Sequence, residues 1–315
     1  ERLSWDESFE ESLPLPKWLA TLLISAYEAE FGLPGEQQSS LNLIDMIGTE
    51  LSQGFQLFGS SDERYKIAGG SSALIRALAA SMPGVIQTQK QLVAIKAQNK
   101  AIQTSFADGS TAIWDRVILA LPFTALRQVS MQLEMSAEKR HCIETLSYGN
   151  NCKLVLSSES RPWRQDGSAG YLINEMIQNG WDASQLQTDN QGPGAYTVFL
   201  GGKPAEIINQ GGASVVSHRA AQATELLTRI YPAAQGKLGQ QRRVVRWTNT
   251  PWARGSYPAY STGQWTTISG LEAEPVGRVH FAGDHTSDQF QGYMNGAAES
   301  GVRAANEILA ALTPA

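Results

Sequence analysis

The sequence predicts a mixed α/β (α+β) fold in which a second domain interrupts the first. Strand, hairpin and helix patterns alternate along the 315 residues without the regular βαβ order of a doubly wound sheet. Two apolar segments, residues 116–121 and 278–282, both have the pattern of central strands, although about 160 residues separate them. The residues between them are enough for a domain of their own, so we expect that domain to lie on the first.

The composition is that of a globular protein and excludes several functions. Hydrophobic residues make up 42% and charged residues 17%, which excludes a disordered or fibrous chain. The net charge is −5 and the basic residues form no dense cluster, so no nucleic-acid partner is expected. The longest apolar stretches, 18–26 and 116–123, are too short for a membrane span, and we expect a soluble protein. Cys142 and Cys152 are too few for a disulfide framework.

The amino-terminal half predicts helices followed by a group of short strands. Apolar residues at helical spacing predict a first helix over 14–31 and a second over 41–52. Asp108-Gly109 is a strong two-residue hairpin signal. The apolar run at 116–121 predicts a strand buried on both faces, which ends at Pro122. The further predicted elements are a helix over about 71–81 and strands at 85–88, 91–97, 101–106 and 111–114.

The carboxyl-terminal half ends in a clear strand, turn and helix. Residues 178–194 are polar and are expected to form a long loop. The last strand, 278–282, is followed by a Gly-Asp turn and a helix over 294–312. The other predicted elements are helices at 137–146 and 213–230 and strands at 153–157, 196–201 and 242–248.

The turn after the last strand is a candidate ligand site. Gly283 and Asp284 end the strand, and the backbone N–H groups at the start of the following helix could bind a phosphate or another anion. Gly292, Gly296 and Gly301, together with several alanines, leave one face of this helix almost without side chains. Such a face fits a flat ligand, and it fits tight helix–sheet packing without a ligand equally well.

Candidate chemical groups lie in two further segments. Lys153 begins an apolar strand, where it is either a surface residue at the strand end or a functional amine. Tyr257 and Tyr260 lie with Trp252 and Trp265 in one glycine-rich loop, where they line an amine pocket through cation–π contact or form core. The four histidines show no metal-ligand spacing, so no metal is expected. A Gly-x-Ser-x-Gly turn is absent, which argues against a serine hydrolase.

Four segments, in this order, resemble the flavin-containing amine oxidase family, which includes monoamine oxidases, polyamine oxidases and L-amino acid oxidases. Residues 64–78 are similar to the family segment around an internal Gly-Gly pair, and residues 115–122 to its D-x-V-I-x-A-x-P strand. Residues 251–257 resemble its Gly-Ser-Tyr flavin loop. Residues 277–308 resemble its terminal F-A-G-E … G-Y-M-x-G-A-x-x-S-G-x-R-A-A signature, the most specific of the four matches.

The resemblance implies an FAD-binding, Rossmann-like domain interleaved with a substrate domain of mixed sheet and helices. Residues 62–127 and 251–315 would form the FAD-binding domain, and residues 1–61 and 128–250 the substrate domain. The family begins with a strand and a G-x-G-x-x-G loop that are absent from these residues, so the FAD-binding domain would be partial, without its first βαβ unit. We therefore expect a second polypeptide that carries this unit, or a truncated product.

The resemblance also implies the residues of the site. Lys153 matches the lysine that reaches flavin N5 through a water, and Tyr257 and Tyr293 match the aromatic pair that encloses the substrate amine. These three are the expected catalytic residues. Asp284 replaces the usual glutamate at the ribityl or phosphate region, and Ser256 replaces the cysteine that bonds FAD in some relatives, so FAD would be non-covalent. The other expected FAD-binding residues are Leu92 or Val93 at the adenine, Met294 through its backbone N–H at the flavin pyrimidine end, and Trp252, Gly283, Gly292 and Ala297.

The implied activity is that of an FAD-dependent amine oxidase. The amine would pass a hydride to flavin N5, the imine would hydrolyse, and O₂ would reoxidise the flavin to give H₂O₂. An L-amino acid oxidase is one alternative, and a non-catalytic subunit or flavin-fold binding protein is another. A polyamine substrate would need acidic residues near the pocket, for which Glu175 and Asp182 are candidates. A homo-oligomer is compatible with the sequence, and the cellular compartment stays open.

Overall fold

Three β-sheets organise the chain in the computed structural model, which describes residues 15–47, 52, 58, 65–165, 167–188 and 192–312. The strands are β1 Leu92–Gln98, β2 Ala101–Phe106, β3 Thr111–Trp114, β4 Val117–Leu119, β5 Ser130–Gln132, β6 Cys152–Ser158, β7 Leu172–Asn174, β8 Gln178–Asp182, β9 Gly194–Leu200, β10 Leu238–Arg246 and β11 Val279–Phe281. The sheets have the orders β3-β2-β1-β5, β10-β6-β9-β8-β7 and β11-β4. The mixed α/β class is confirmed.

Helices connect and cover these sheets. The α-helices of the described residues are α1 Lys17–Phe31, α2 Ser40–Met46, α3 Ser71–Ala80, α4 Phe123–Leu126, α5 Ala137–Thr145, α6 Gly202–Gln210, α7 Ala213–Ile230, α8 Gln264–Thr267 and α9 Met294–Leu312. The helices expected at 213–230 and 294–312 are confirmed with their bounds. The helix expected over 41–52 is confirmed as α2, and most of the segment after residue 47 lies outside the described residues. None of the described helices is both long and apolar enough to span a bilayer.

β4 and β11 form a parallel pair although they lie far apart in the sequence. Leu119 pairs with Phe281, and both are buried in one hydrophobic cluster with Phe123. The rings of Phe123 and Phe281 meet edge to face, with their centroids 6.1 Å apart. The two segments that were expected to be central strands are thus neighbours in one sheet. The expectation that residues 116–121 are buried on both faces is wrong for the described residues, because Ile118 is 38% exposed on the opposite face.

The five-stranded sheet has one covered face and one face that carries Lys153. Along β6 the side chains alternate between fully buried and half-buried, as the period of two of a strand requires. Cys152 and Leu154 point to the covered face, where they share a hydrophobic cluster with Ala220 and Leu227 of α7. Lys153 therefore lies on the opposite face of the sheet, which α7 does not cover and which can form part of a site.

Residues 85–88 do not form the expected strand. Pro83-Gly84 precede them in a turn, and Val85 and Ile86 are 70% and 51% exposed. A strand needs a neighbour that accepts and donates its backbone hydrogen bonds, and none of the described strands pairs with this segment. Local β-propensity therefore does not produce a strand here.

Residues 178–194 contain a strand where a loop was expected. β8 pairs with β7 on one side and with β9 on the other. Its polar side chains are buried because they find partners: Gln178 Oε1 accepts from the N–H of Gly201 at 2.8 Å, and Asp182 accepts from the N–H of Ser184 at 2.7 Å. The polar side chains of this segment predicted a loop, but their hydrogen bonds to other parts of the chain allow β8 to be a buried strand.

The boundaries proposed at residues 61, 127 and 250 stay a prediction. The five-stranded sheet lies within 128–250, whereas β5 joins the sheet of β1 by parallel pairing of Ala94 with Ser130. The short elements β5, β7, α4, α6 and α8 were not expected from the sequence.

Candidate functional site

The carboxyl end of β11 turns through a conformation that only glycine adopts. Gly283 has φ +126° and ψ 161°, a region essentially closed to other residues. A Cβ on Gly283 would lie 2.7 Å from the ring of His285. The Ser300 hydroxyl of α9 accepts from the N–H of Gly283 at 2.9 Å and lies 3.0 Å from its carbonyl oxygen. The turn is therefore fixed from both sides, and α9 starts from a defined position.

Removing the Ser300 hydroxyl is expected to loosen this turn. We expect Ser300→Ala to lower the free energy of unfolding by about 1–2 kcal/mol, because the part-buried N–H of Gly283 loses its partner. Thermal unfolding followed by circular dichroism measures the effect. Ser214→Ala, at an exposed position of α7, is the control and should leave the midpoint unchanged. Equal midpoints for the two variants would remove Ser300 from the account of the turn.

Asp284 and His285 place an acid and a neutral imidazole directly after the turn. Burial raises the pKa of the Asp284 carboxyl. Burial also lowers the pKa of His285 to about 3, and the positive charges of Lys139 and Arg303 add to this. The His285 side chain is 1% exposed, and neither ring nitrogen has a hydrogen-bond partner among the described residues. The two ring nitrogens of His285 therefore lie without described hydrogen-bond partners at the carboxyl end of a parallel strand, next to the carboxyl group of Asp284.

An aromatic contact joins this turn to the segment before β6. The rings of His285 and Phe123 meet edge to face with centroids 4.5 Å apart. The N–H of Phe123 donates to the hydroxyl of Tyr148 at 2.9 Å. The next residue, Gly149, donates its N–H to the carbonyl of Tyr257 at 2.9 Å and accepts from the N–H of Ser256 at 2.9 Å. The β11 turn, the start of β6 and the 251–257 loop therefore meet in one place.

Ser256 and Tyr257 lie at the centre of this meeting point. The Ser256 hydroxyl donates to Asn151 Oδ1 at 2.5 Å. Asn151 lies two residues before Lys153 in the sequence. The Tyr257 hydroxyl donates to the carbonyl oxygen of Glu30 at the end of α1. Gly292 lies against Tyr257: a Cβ on Gly292 would be 3.6 Å from the Cβ of Tyr257 and 3.7 Å from its Cγ. Because Tyr293 follows Gly292 directly, the two tyrosines expected to enclose an amine are brought close together.

Lys153 lies among three aromatic rings. Its ammonium nitrogen is 5.3 Å from the ring centroids of Trp181 and Phe199 and 5.6 Å from that of Trp247. These are cation–π distances. The sequence analysis did not select the three aromatic residues. Trp181 was placed in a loop, and the signal that could have found it is the alternation of β8 in register with β9.

The other expected FAD-binding residues lie around this centre in different settings. Leu92 begins β1 and packs against the cluster of Phe123 and Phe281, and Val93 is exposed. Trp252 is 63% exposed. Met294 is exposed at the first position of α9, and Ala297 donates its N–H to the carbonyl of Tyr293 at 3.2 Å. Their roles in cofactor binding, like those of the residues above, stay a prediction.

The glycines and alanines of α9 were expected either to contact a flat ligand or to allow tight packing, and different residues of the helix fit each of these two roles. Gly296 is buried, and a Cβ there would lie 2.2 Å from the carbonyl oxygen of Phe290, so this glycine permits close packing of the chain on itself. Gly301 has no atom within 4 Å of the position that a Cβ would take, and Ala297, Ala298 and Ala305 are exposed. One side of the helix is thus packed internally, and the other side is open.

The candidate acids for a polyamine lie away from Lys153. Asp182 is buried and accepts from Arg164 Nε at 2.6 Å, and it pairs across the strands with Tyr196 on the covered face of the sheet. Glu175 is exposed in the turn between β7 and β8. Asp182 is therefore committed to an internal ion pair.

Comparison with known proteins gives a consistent result over nearly the whole chain. A profile of the family described as flavin containing amine oxidoreductase matches residues 6–309. A flavin-containing amine oxidase of Danio rerio is 22% identical over 261 residues, which are 82% of this chain and 49% of that protein. An L-amino acid dehydrogenase of Synechocystis sp. is 24% identical over 258 residues, 81% of this chain and 53% of that protein.

The fold is also similar to that of solved structures. Putrescine oxidase bound to putrescine superposes with a TM-score of 0.83 at 19% identity, over 98% of this chain and 68% of that chain. The chain spans about half the length of the curated relatives it matches.

Proposed function

Because the chain belongs to the flavin-containing amine oxidoreductase family, we propose that it forms the substrate-binding and flavin-contacting part of an FAD-dependent amine oxidase. The reaction is the oxidative deamination of an amine: the α-carbon would give up a hydride to the two-electron acceptor that the flavin supplies, the nitrogen would give up a proton, and water would hydrolyse the imine to a carbonyl compound and ammonia or an amine. The observation that carries the proposal is the contact of Tyr257 with Gly292, next to Tyr293, at the place where β6 and the β11 turn meet. An L-amino acid oxidase is the second candidate, favoured by the match to the L-amino acid dehydrogenase.

The described residues fit a flavin at the β11 turn. His285 has two buried ring nitrogens without partners among the described residues, and the open side of α9 leaves room for a planar group. We propose that Asp284, the backbone of Met294 and the 252–256 loop bind FAD, with Leu92 or Val93 at its adenine. The bound flavin supplies a two-electron acceptor that O₂ reoxidises. Ser256 donates its hydroxyl to Asn151 and offers no thiol, which supports non-covalent binding.

The chain's own residues are proposed to orient the amine and to exclude bulk water from it. We propose that Tyr257 and Tyr293 enclose the neutral amine and that Lys153 holds a water by its ammonium group. The hydrogen bond from Tyr257 to the Glu30 carbonyl fixes the direction of its ring, so the amine's α-carbon is presented in one orientation. The aromatic residues around Lys153 exclude bulk water and limit hydrolysis before release.

A further polypeptide segment is proposed to complete the FAD-binding domain. α3 has no buried residue, and large apolar side chains are exposed on α3, β4 and α9. Exposed apolar side chains on several elements are typical of a surface that another chain segment covers. The residues are Leu74, Ile75, Leu78, Ile118, Val302 and Leu309. The occupant proposed is a strand and helix that carry a glycine-rich phosphate loop, since relatives have about as much chain again outside the matched part.

Flavin content tests the function and the missing segment together. The chain is purified alone and co-expressed with a polypeptide that carries the strand and the glycine-rich phosphate loop, and the visible spectrum is recorded before and after denaturation. We expect flavin absorption in the co-expressed sample, release of FAD on denaturation and peroxide formation with an amine. A colourless protein in both samples, or a flavin that stays with the denatured chain, would contradict the proposal.

Replacing Lys153 is expected to slow turnover and leave FAD bound. Lys153→Met removes the ammonium group from the aromatic rings without a large loss of volume, and we expect kcat to fall by about 10²-fold. Stopped-flow spectra measure the two half-reactions separately. Lys203→Met, at an exposed ion pair with Glu36, is the control. Unchanged rates in both half-reactions would exclude Lys153 from the mechanism.

A further inference from the structure

We propose that Trp181, Phe199 and Trp247 form the subsite for the substrate's side chain. The subsite takes an amine with a single cationic group and an apolar or aromatic side chain, and it discriminates against diamines. This inference rests on the proposed amine oxidation and adds the substrate class to it.

The strand register places the three aromatic residues on one face of the sheet. Lys153 of β6 pairs with Phe199 of β9 and with Val245 of β10. Trp247 lies two residues beyond Val245, on the same side by the period of two. Trp181 reaches this face from β8, where its ring meets that of Phe199 edge to face with centroids 5.6 Å apart. Residues from three strands and the end of β10 thus form a continuous apolar wall.

The wall adjoins the proposed reaction centre. Asn151, two residues before Lys153, accepts from Ser256, and Tyr257 follows. Trp247 ends the strand that leads into the 251–257 loop. An amine between the two tyrosines therefore has the three aromatic rings within reach of its side chain.

The charges on this face disfavour a second cation. Lys153 is cationic, and Arg243, which pairs with Val155 in the same row, adds a second positive charge. The carboxylates that lie near in the sequence or the fold are engaged elsewhere. Asp182 pairs with Arg164 on the other face, and the Glu28 carboxylate accepts from Gln178 and from the N–H of Gly35. A distal ammonium would lose its hydration at an apolar wall without gaining an anion, whereas an aromatic side chain gains ring contacts.

The remaining carboxylate of α1 lies towards a different cluster. Glu30 raises the pKa of the Tyr27 hydroxyl, after burial as the larger cause, so its charge is close to Tyr27. Tyr27 is buried against Leu23, Phe31 and Leu43. Glu30 meets the site through its backbone carbonyl, which accepts from Tyr257.

The experiment compares turnover and binding on the flavin-loaded protein. We expect kcat/KM for 2-phenylethylamine to exceed that for putrescine by tenfold or more, and L-phenylalanine to be poorer than 2-phenylethylamine. Trp181→Glu supplies an acid at the wall and should reverse the preference towards putrescine. Trp181→Phe keeps an aromatic ring and should retain the original preference. Trp18→Leu, at an exposed tryptophan of α1, is the control and should change nothing.

Binding is read independently of turnover by quenching of tryptophan fluorescence. We expect 2-phenylethylamine to quench the emission in the wild type and in Trp18→Leu, and the quenching to be largely lost in Trp181→Leu. Oxidation of putrescine in preference to 2-phenylethylamine, or the same preference in wild type and Trp181→Glu, overturns the subsite while the amine oxidase stands. If no amine is oxidised, the proposed function fails, and quenching that Trp181→Leu abolishes still supports the subsite, whereas absent quenching overturns it.

Discussion

Gly283→Ala is expected to lower the free energy of unfolding by about 3 kcal/mol or more and to abolish flavin retention. Two costs add together. The conformation with φ +126° and ψ 161° costs a residue with a Cβ about 1–3 kcal/mol. The new methyl group would also lie 2.7 Å from the His285 ring, which Phe123 restrains on its other side. The turn can relieve the contact only by moving Asp284 away from the end of β11, where the cofactor is proposed to bind.

Thermal unfolding and flavin content of the purified protein measure the two effects. Gly301→Ala is the matched control for thermal unfolding, since it adds the same methyl group to α9, where no atom lies within 4 Å. Alanine favours a helix over glycine by up to about 1 kcal/mol, so this control should be neutral or slightly stabilised. If Gly283→Ala unfolds at the wild-type temperature and retains its flavin, the account of the turn is wrong.

The strand, turn and helix around Gly283 show where sequence reasoning succeeds. β11 and α9 were expected at 278–282 and 294–312, and the structure has them at Val279–Phe281 and Met294–Leu312. An apolar run, a glycine and a long amphipathic pattern are all local, and each agrees with the final fold. The requirement for glycine at position 283 comes from the backbone conformation of that residue alone. The position of a glycine directly after an apolar strand is therefore enough to identify it.

β8 shows where local patterns fail. Gln178 and Asp182 are polar, and their burial depends on partners that lie in other elements, namely the N–H of Gly201 for Gln178 and the guanidinium of Arg164 for Asp182. The wrong loop assignment then hid Trp181. The aromatic surroundings of Lys153 come from β8, from β9 and from the residue after β10, which the sheet brings together although they are separated in the sequence, so no spacing along the chain reveals them.

In the candidate site, too, some features follow from local sequence patterns and others depend on contacts between distant segments. Tyr257 and Tyr293 were selected from motifs, and their approach depends on the contact between Tyr257 and Gly292 across two loops. His285 was noted only for lacking metal-ligand spacing. Its burial next to Phe123 arises from the packing of the β11 turn on α4, which the sequence analysis did not include.

Because His285 is buried, it makes the free energy of unfolding depend on pH. His285→Phe is expected to reduce the loss of this free energy at low pH. The pKa of His285 is about 3 in the folded chain, against about 6.5 when unfolded. Between these values the unfolded chain binds a proton that the folded chain does not, so stability falls as the pH falls through this window. From pH 7 to pH 4.5 the loss from this group is about 2–3 kcal/mol. The variant has no imidazole and loses this contribution.

Other buried groups change the total curve, so the difference between variant and wild type is the quantity to measure. Asp284 and Glu272 have raised pKa values, mainly by burial, and they act in the opposite direction: stability falls as the pH rises above their unfolded values. Lys139, whose pKa burial lowers to about 8, changes charge outside this window. Urea unfolding at pH 7 and pH 4.5 gives both free energies, and subtraction removes the contributions that the two proteins share.

Phenylalanine is larger than histidine, so His285→Leu is the second variant, and His141→Gln at an exposed position is the control. We expect both His285 variants to lose less stability than the wild type between the two pH values, and His141→Gln to follow the wild type. Because neither ring nitrogen of His285 has a partner among the described residues, neither variant breaks a described hydrogen bond. If the pH dependence of His285→Leu equals that of the wild type, His285 takes up a proton in the folded chain, and the neutral imidazole beside the proposed flavin site is wrong.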